Sequence, residues 1–486
     1  MIPSRAWAPS LSGGGDNSGT RVLRQMVDAG LLEANPDVPS QYRRLAAGVE
    51  QMVLEGRIGA GVRFPSERRV AEALGCSRVT VTAALDVLRD RGLLISRTGA
   101  GSWTAIPRQA AGATGPWSTR AQGAEVDLDL SAALQVVAPD ELEVAVVAAS
   151  SRLGAHLVQR SPDVQGLRDL RRLIADTYIA RGLPTRPEQI LITSGAQQAL
   201  DLVLRAHLRP HDRLITDDPN YPGLVDLLRR DGHRPDTVRV DVDDGWRTDE
   251  LLDVYRTSRS RLGIHVFDHH NPTGHLLPDQ VRAELAWVCD RLGTVLVVDE
   301  TLAQLGTVSQ TRPMAAHLPS ALSVGSMSKT HWSGLRIGWI RGERRALRPL
   351  VEAHATYTQG TPLLDQLIAA ELLQDCADHL AQLRRRLTHQ RSVLEAALAA
   401  ALPDWTPNRP AGGVALWVTL PTGLSARILV ERAPLVGLRL APGAAFTIST
   451  PDDGRLRLPF VLPPAQLQAA VHKLANLAAI CAGQER

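Results

Sequence analysis

Lysine is almost missing from this chain. Of its 54 basic residues only Lys329 and Lys473 are lysine, and the rest are arginine. Arginine stays protonated and cannot serve as a nucleophilic amine, whereas a lysine can lose its proton in a tuned site. Any amine chemistry therefore falls to one of these two side chains. Cysteine is scarce as well. Cys76, Cys289, Cys376 and Cys481 are scattered, without the paired spacing of a metal site or a disulfide frame. No metal is expected, and free thiols fit a reducing cytoplasm. No apolar run reaches about 18 residues, so no membrane span is expected. The first 19 residues are rich in Ser and Gly and lack an apolar segment, which argues against a signal peptide. A large charge excess is absent too. The formal net charge is +3 over 486 residues, so any nucleic-acid-binding face has to be local.

What is present suggests a small domain followed by a large one. Residues 1–39 read as a flexible N-terminal extension. Residues 40–107 read as one module. Tyr42, Leu45, Val49, Met52 and Val53 recur at helical spacing, and Gly56, Gly59 and Gly61 break that helix. Ser66 can cap a second helix, Glu67 to Leu74, which Gly75 ends. Ser77 can cap a third, Arg78 to Arg91, ended by Gly92. Leu93–Ile95 and Trp103–Ala105 then read as short strands around a Gly-containing turn. This outline is a winged helix-turn-helix. Between residues 41 and 107 ten Arg face six acidic residues, a net of +4, so the charge excess is concentrated here. Hydroxyls and an Arg at the start of the third helix suit phosphate contacts and base edges. Arg78 is the candidate for bidentate contact to guanine. Arg68 can brace the backbone or reach a base.

Residues 108–124 read as a linker. From about 125 onward short apolar runs alternate with helical stretches, including Ile190–Ile192, Leu262–Phe267, Val295–Val298 and Leu322–Val324. The fold class expected is α/β, with a mostly parallel buried sheet over about 160–345. A smaller α+β part is expected from about 350 to 486.

Lys329 lies in Ser326-Met327-Ser328-Lys329, with Arg336 following. A lysine that forms a Schiff base with a phosphorylated aldehyde needs that anionic phosphate held close by. Ser326, Ser328 and Arg336 supply hydroxyls and a permanent cation for it. Ser194, Gly195, Ala196 and Gln197 follow a strand and open a helix, a pattern that suits a phosphate cradle. Asp299 ends a buried strand, where a carboxylate can keep a pyridinium nitrogen protonated. Asn271, in Asn271-Pro272-Thr273-Gly274, can bond a ring hydroxyl. Taken singly, each is also an ordinary cap, strand end or turn. Lys473 sits on an amphipathic C-terminal helix and reads as a surface residue.

Two resemblances follow. The stretch PSERRVAEALGCSRVTVTAALDVLRDRGLLISRTGAGSW resembles the GntR-family module. By that resemblance Arg68, Ser77, Arg78, Thr80 and Gly99 fall at DNA-contact positions. The segments TSGAQQAL, DDPNYPG, HNPTG, VVDE and SMSKTHWSGLRIGW resemble fold-type I aminotransferases, and the whole chain resembles the MocR/GabR-like branch of GntR regulators. This implies a pyridoxal 5′-phosphate (PLP) cofactor carried as an internal aldimine on Lys329. Asp299 would pair with the pyridine nitrogen, Asn271 with the ring hydroxyl, and Tyr221 would stack on the ring. Gly195, Ala196, Ser326 and Arg336 would hold the phosphate. Arg457, in RLRLPF, falls where aminotransferases bind a substrate carboxylate, although a structural salt bridge competes as an explanation.

The chain departs from that pattern at two places. The usual Tyr shortly after the pyridine-binding Asp is Leu302 here, with only Thr301 to offer a hydroxyl. The interface Tyr expected before Gly166 is missing from Arg160-Ser161-Pro162. Both losses weaken proton handling in transamination. The expectation is a PLP-dependent, DNA-binding regulator whose effector is an amino acid, an amine or PLP itself. A working aminotransferase carrying a DNA-binding domain is the alternative. The resemblance also implies a homodimer on double-stranded DNA, in the cytoplasm.

Overall fold

Short apolar runs separated by helices become one eight-stranded sheet in the larger of two compact units, Met1–Thr114 and Gly115–Arg486. The computed structural model describes residues 17–28, 40–54, 58, 62–90, 93–97, 101–104, 127–134, 139–156, 163–306, 311–374 and 376–482. The expected linker 108–124 lies outside these residues, as do Gly56, Gly59, Gly61, Gly92 and Gly99.

Across the sheet the strands run Ile190–Thr193, Gly338–Arg341, Leu322–Ser326, Val295–Asp299, Leu262–His265, Arg213–Asp218, Arg234–Asp241 and Gly245–Trp246. The four middle pairings, from Leu322–Ser326 to Arg234–Asp241, are parallel. Gly338–Arg341 runs antiparallel to both neighbours, and Gly245–Trp246 closes the far edge antiparallel. Helices cover both faces, which is why strands such as Ile190–Thr193 and Leu322–Ser326 are buried at every position instead of alternating. Parallel strands of this kind present their C-terminal ends, Asp299 among them, to a ligand crevice.

The smaller part is an antiparallel sheet in the order Thr406–Pro407, Ala415–Thr419, Arg455–Pro459 and Ala441–Pro442. Helices Cys376–Ala401 and Pro464–Ala482 pack its core through Leu383, Leu387, Leu394, Leu467 and Leu474. The boundary expected near 350 falls inside Arg344–Thr358, whose Leu347 and Leu350 belong to the sheet's core. Leu363–Leu372 also packs with the large part. In return the small part takes Leu128 and Leu130 from the other end of the unit. Strand Leu128–Asp129 pairs parallel with Leu438–Arg439. Lys473 serves this junction, donating to Asp127 Oδ2 at 2.6 Å and to the Val436 carbonyl at 2.8 Å. It is thus an anchor and not a merely solvated side chain.

The N-terminal unit has helices Gln41–Leu54, Glu67–Leu74 and Arg78–Asp90, and a three-stranded sheet in the order Arg63–Phe64, Gly101–Thr104, Leu94–Arg97. Leu45, Val49, Met52, Val70, Val81, Leu85 and Leu88 form its core. The strand Arg63–Phe64 was not anticipated. It is two residues long and pairs with Ser102 and Trp103. The flexible extension expected over 1–39 is corrected in part, because Asn17–Asp28 is a helix. Val22 and Leu23, with Met26 one helical turn on, are buried in this same core. Arg69 Nη2 also donates to Thr20 Oγ1 at 3.0 Å. Among the described residues no helix is long and apolar enough to cross a membrane.

Candidate functional site

In the N-terminal unit, Gly75 takes a left-handed backbone (φ 64°), and its N–H donates to the Ala71 carbonyl, which turns the chain between the two helices. Ser66 has the extended backbone of an N-cap but makes no side-chain capping bond. Ser77 does cap its helix, with Oγ accepting from the Thr80 N–H at 3.1 Å and lying 2.8 Å from Thr80 Oγ1. The hydroxyls of Ser77 and Thr80 are therefore engaged with each other. Arg68 is exposed and paired loosely with Glu72 at 3.8 Å. Arg78 is exposed at the start of the third helix. The sequence reading missed Val79, an apolar side chain 78% exposed beside Arg78. A branched methyl group there suits contact with a thymine methyl. The third helix is braced from behind, with Thr82 Oγ1 donating to Glu67 Oε2 at 3.0 Å.

In the large unit, the residues singled out from sequence converge. Lys329 follows strand Leu322–Ser326, and Asp299 ends the adjacent strand. Burial pushes the Lys329 amine down to about 8, helped by the positive charge of Arg457 and opposed by Asp299. Burial pushes the Asp299 carboxyl up, while Thr301 beside it holds it down; the one hydrogen bond between them is the Thr301 N–H donated to Asp299 Oδ1 at 2.9 Å. Burial also raises the Tyr221 phenol, with the Asp299 charge adding to the effect. Lys329 Nζ donates to the Ala133 carbonyl at 2.6 Å.

The residues expected to cradle a phosphate come from three chain segments. Gly195 has φ 85°, and a Cβ there would lie 3.0 Å from Arg336 Nη2, so a side chain would crowd the guanidinium. Arg336 itself adopts φ 54°, unusual for a residue with a Cβ, and its Nη2 donates to the Ser194 carbonyl at 3.1 Å. The helix Ala196–His207 starts directly beyond Gly195. The Ser194 N–H is taken by Gln198 Oε1 at 2.6 Å, so Ser194 has only its hydroxyl left to offer. Gln197 Nε2 donates to the Gly223 carbonyl at 2.8 Å, and its buried Oε1 has no partner among the described residues. Ser326 Oγ lies 3.1 Å from both Ser328 Oγ and the Ile337 carbonyl, and its single proton serves one of them at a time. Asn271 is half-buried in the turn after His270.

Arg457 lies on Arg455–Pro459 and is 6% exposed. One Nη2 donates to the Ser131 carbonyl, the guanidinium stacks 5.2 Å from the Phe446 ring centre, and the buried Nε has no partner among the described residues. Burial lowers its pKa to about 10. The salt bridge that competed as an explanation is not found, since no carboxylate pairs with Arg457 among the described residues. A buried guanidinium bonded to a carbonyl and still holding a spare N–H is suited to a carboxylate ligand. Leu302 is buried in the small part's core with Leu305 and Leu383, so it offers nothing polar toward Lys329. The sequence reading also missed the buried pair Arg181–Glu300 next to Asp299, 2.7 Å apart; the only signal was Glu300 following Asp299.

These residues fit PLP by their own chemistry: a depressed amine, a buried carboxylate, and a cation beside a helix start. The comparisons agree. Residues 131–474 match the aminotransferase class I and II family, and residues 41–103 match the bacterial regulatory proteins of the gntR family. The chain is 31% identical to the 2-aminoadipate transaminase of Thermus thermophilus over 315 residues, 63% of this chain and 78% of that protein. It is 27% identical to the HTH-type transcriptional regulator YisV of Bacillus subtilis over 419 residues, 80% of this chain and 85% of that one. The structure of LysN, the alpha-aminoadipate aminotransferase of Thermus thermophilus complexed with N-(5′-phosphopyridoxyl)-L-leucine, aligns with a TM-score of 0.68 and 28% identity, covering 76% of this chain and 97% of that one. The chain belongs to the aminotransferase class I and II family, joined in one polypeptide to a DNA-binding domain of the gntR family, the arrangement of MocR-like regulators.

Proposed function

We propose that this chain is a PLP-dependent transcription regulator that reads an amino acid or amine at Lys329 and reports it through DNA binding. The observation that carries the proposal is the pairing, in one chain, of an exposed Arg78–Val79 helix start with a cluster of half-buried Lys329, buried Asp299 and exposed Arg336. Bound PLP supplies an aldehyde carbon that an amine can capture and a ring that withdraws electrons once its nitrogen is protonated. Lys329 holds the carbon, and its depressed pKa leaves a useful fraction of neutral amine near pH 8. Asp299 holds the proton on the ring nitrogen. Arg336, the hydroxyls of Ser326 and Ser328, and the Ala196 N–H at the helix start would hold the phosphate; the Gly195 N–H is already donated to the Thr193 carbonyl at 2.9 Å. Asn271 and Tyr221 fix the ring. Arg457 takes the ligand's carboxylate, which favours an amino acid over a simple amine. The contacts of Arg457 and Lys329 with the carbonyls of Ser131 and Ala133 mean that a ligand's arrival rearranges this segment's hydrogen bonds. Ligand binding shifts DNA affinity only through a difference between two states, so the effector must bind them unequally. The family resemblance supports a homodimer reading paired half-sites.

The second reading is a working transaminase. It is favoured by the retained Lys329, Asp299 and Arg457, and opposed by Leu302, whose side chain offers no hydroxyl to assist proton transfer. Amino acids, amines and PLP should be screened for changes in cofactor absorbance and in binding to the protein's own upstream DNA. Ligand-dependent DNA binding without keto-acid product supports the regulator. Sustained product with a keto-acid acceptor, and no effect on DNA binding, supports the transaminase.

A further inference from the structure

Asp299 is followed in the chain by a second buried carboxylate, and the two residues are 7% and 6% exposed. Two neighbouring buried carboxylates oppose each other's ionisation. Glu300 is compensated from a distant part of the sequence. Its Oε2 accepts from Arg181 Nη1 at 2.7 Å and its Oε1 from the Ser323 hydroxyl at 2.8 Å. Arg181 follows the helix Arg168–Ala180 and has a side chain only 6% exposed. Its Nε and Nη2 have no partner among the described residues, and neither has Thr301 Oγ1. Arg181 and Thr301 line one cavity of about 10 Å³, together with Glu300 and Ser326. That volume is room for about one water molecule, and its polar walls supply the hydrogen bonds a buried water needs. Thr301 in turn donates its N–H to Asp299.

We propose that Arg181 is a positioning residue for the cofactor: by neutralising Glu300, and by donating through one buried water to Thr301, it keeps Asp299 a carboxylate able to hold a protonated ring nitrogen. The inference rests on the reading of Lys329 as the PLP site and adds the group that fixes the charge of that site. The other charges nearby compensate Glu300 less directly than Arg181 does. Arg341 faces Glu300 but no hydrogen bond joins the two among the described residues. Asp268 faces Arg181 but is already paired with Arg282 at 2.8 Å. Tyr178 sits beside Arg181, its phenol proton held by burial, and Lys329 and Tyr221 are the other titratable groups facing Asp299. The charge of Glu300 is thus what Asp299 would feel if Arg181 were removed.

The test is PLP affinity of the full-length protein across pH, read from cofactor absorbance, for wild type, Arg181→Met, Glu300→Gln and the double variant. Arg181→Met should move the acid-side loss of PLP binding upward by about one pH unit, a roughly tenfold weaker affinity within that window. Glu300→Gln should leave that midpoint where it is or move it down, and the double variant should restore the wild-type profile. A purely structural pair gives the opposite pattern: each single variant loses affinity at every pH and the double is no better. That pattern, or a wild-type profile in Arg181→Met, overturns the proposal. Should Arg181→Met not fold, Glu300→Gln decides alone, since a loss of affinity there contradicts it. A wild-type protein that takes up no PLP overturns the underlying reading of the site, an outcome separate from these.

Discussion

The two units present their functional residues in opposite ways. In the N-terminal unit the residues assigned to DNA are on the outside: Arg68 and Arg78 are exposed and Val79 is 78% exposed, over a core to which they contribute little. In the large unit Asp299 and Arg457 are buried and Lys329 is half-buried, and each has its protonation shifted by burial. The difference follows from the ligands. DNA is a large polyanion met by protruding cations at a solvated surface, where screening keeps each contact modest. A small cofactor is enclosed, and removal of water is what tunes a lysine into a nucleophile. The surface site should therefore tolerate substitution without loss of fold, while the enclosed site should couple chemistry to pH.

Substitution at the enclosed site gives the largest expected effect. Lys329→Ala should abolish covalent capture of PLP, seen as complete loss of the lysine-bonded absorbance band, while circular dichroism reports an intact fold. The rate of capture by wild type should rise about tenfold per pH unit and level off above about 8, because the neutral amine is the reacting form and burial has lowered its pKa. A rate still rising steeply at pH 10 would place the amine in water and erase the contrast between the units. Arg457→Met should weaken a carboxylate ligand by about 1.5–3 kcal/mol in a titration, the range for a hydrogen bond to a charged group.

The surface site gives smaller, cleaner losses. Arg78→Ala should cost about 1–3 kcal/mol in operator affinity by fluorescence anisotropy if Arg78 reads a base edge. Its effect on unfolding free energy should stay within about 0.5 kcal/mol. Ser77→Ala is the smallest expected change and the one that crosses the comparison. Its hydroxyl caps the helix through the Thr80 N–H, so about 1 kcal/mol of stability should go with it, measured by urea unfolding.

Much of this was legible in the sequence because the signals were local. The near absence of lysine singled out Lys329, and the motif order around it brought Ser326, Ser328 and Arg336 together with Asp299. Gly75 and Ser77 marked the helix-turn-helix, and both act as expected in the turn and the cap. The misses were long-range. Arg181 and Glu300 are separated by 119 positions, so nothing local announces their pairing. The small part recruits Leu128 and Leu130 because strand pairing to Leu438–Arg439 buries them there, a contact that no periodicity reveals. Asn17–Asp28 was lost among polar neighbours because only Val22, Leu23 and Met26 carry its apolar face. Ser194 looked like a phosphate donor until its N–H proved to be engaged by Gln198.

The central claim is that ligand information enters through Lys329. The most direct measurement is the affinity of PLP-loaded protein for its own upstream DNA, with and without a panel of amino acids, in wild type and Lys329→Ala. A ligand-dependent change in wild type that disappears in Lys329→Ala is the expected result. An equal change in both proteins, or a wild type with no cofactor absorbance at all, would contradict the account.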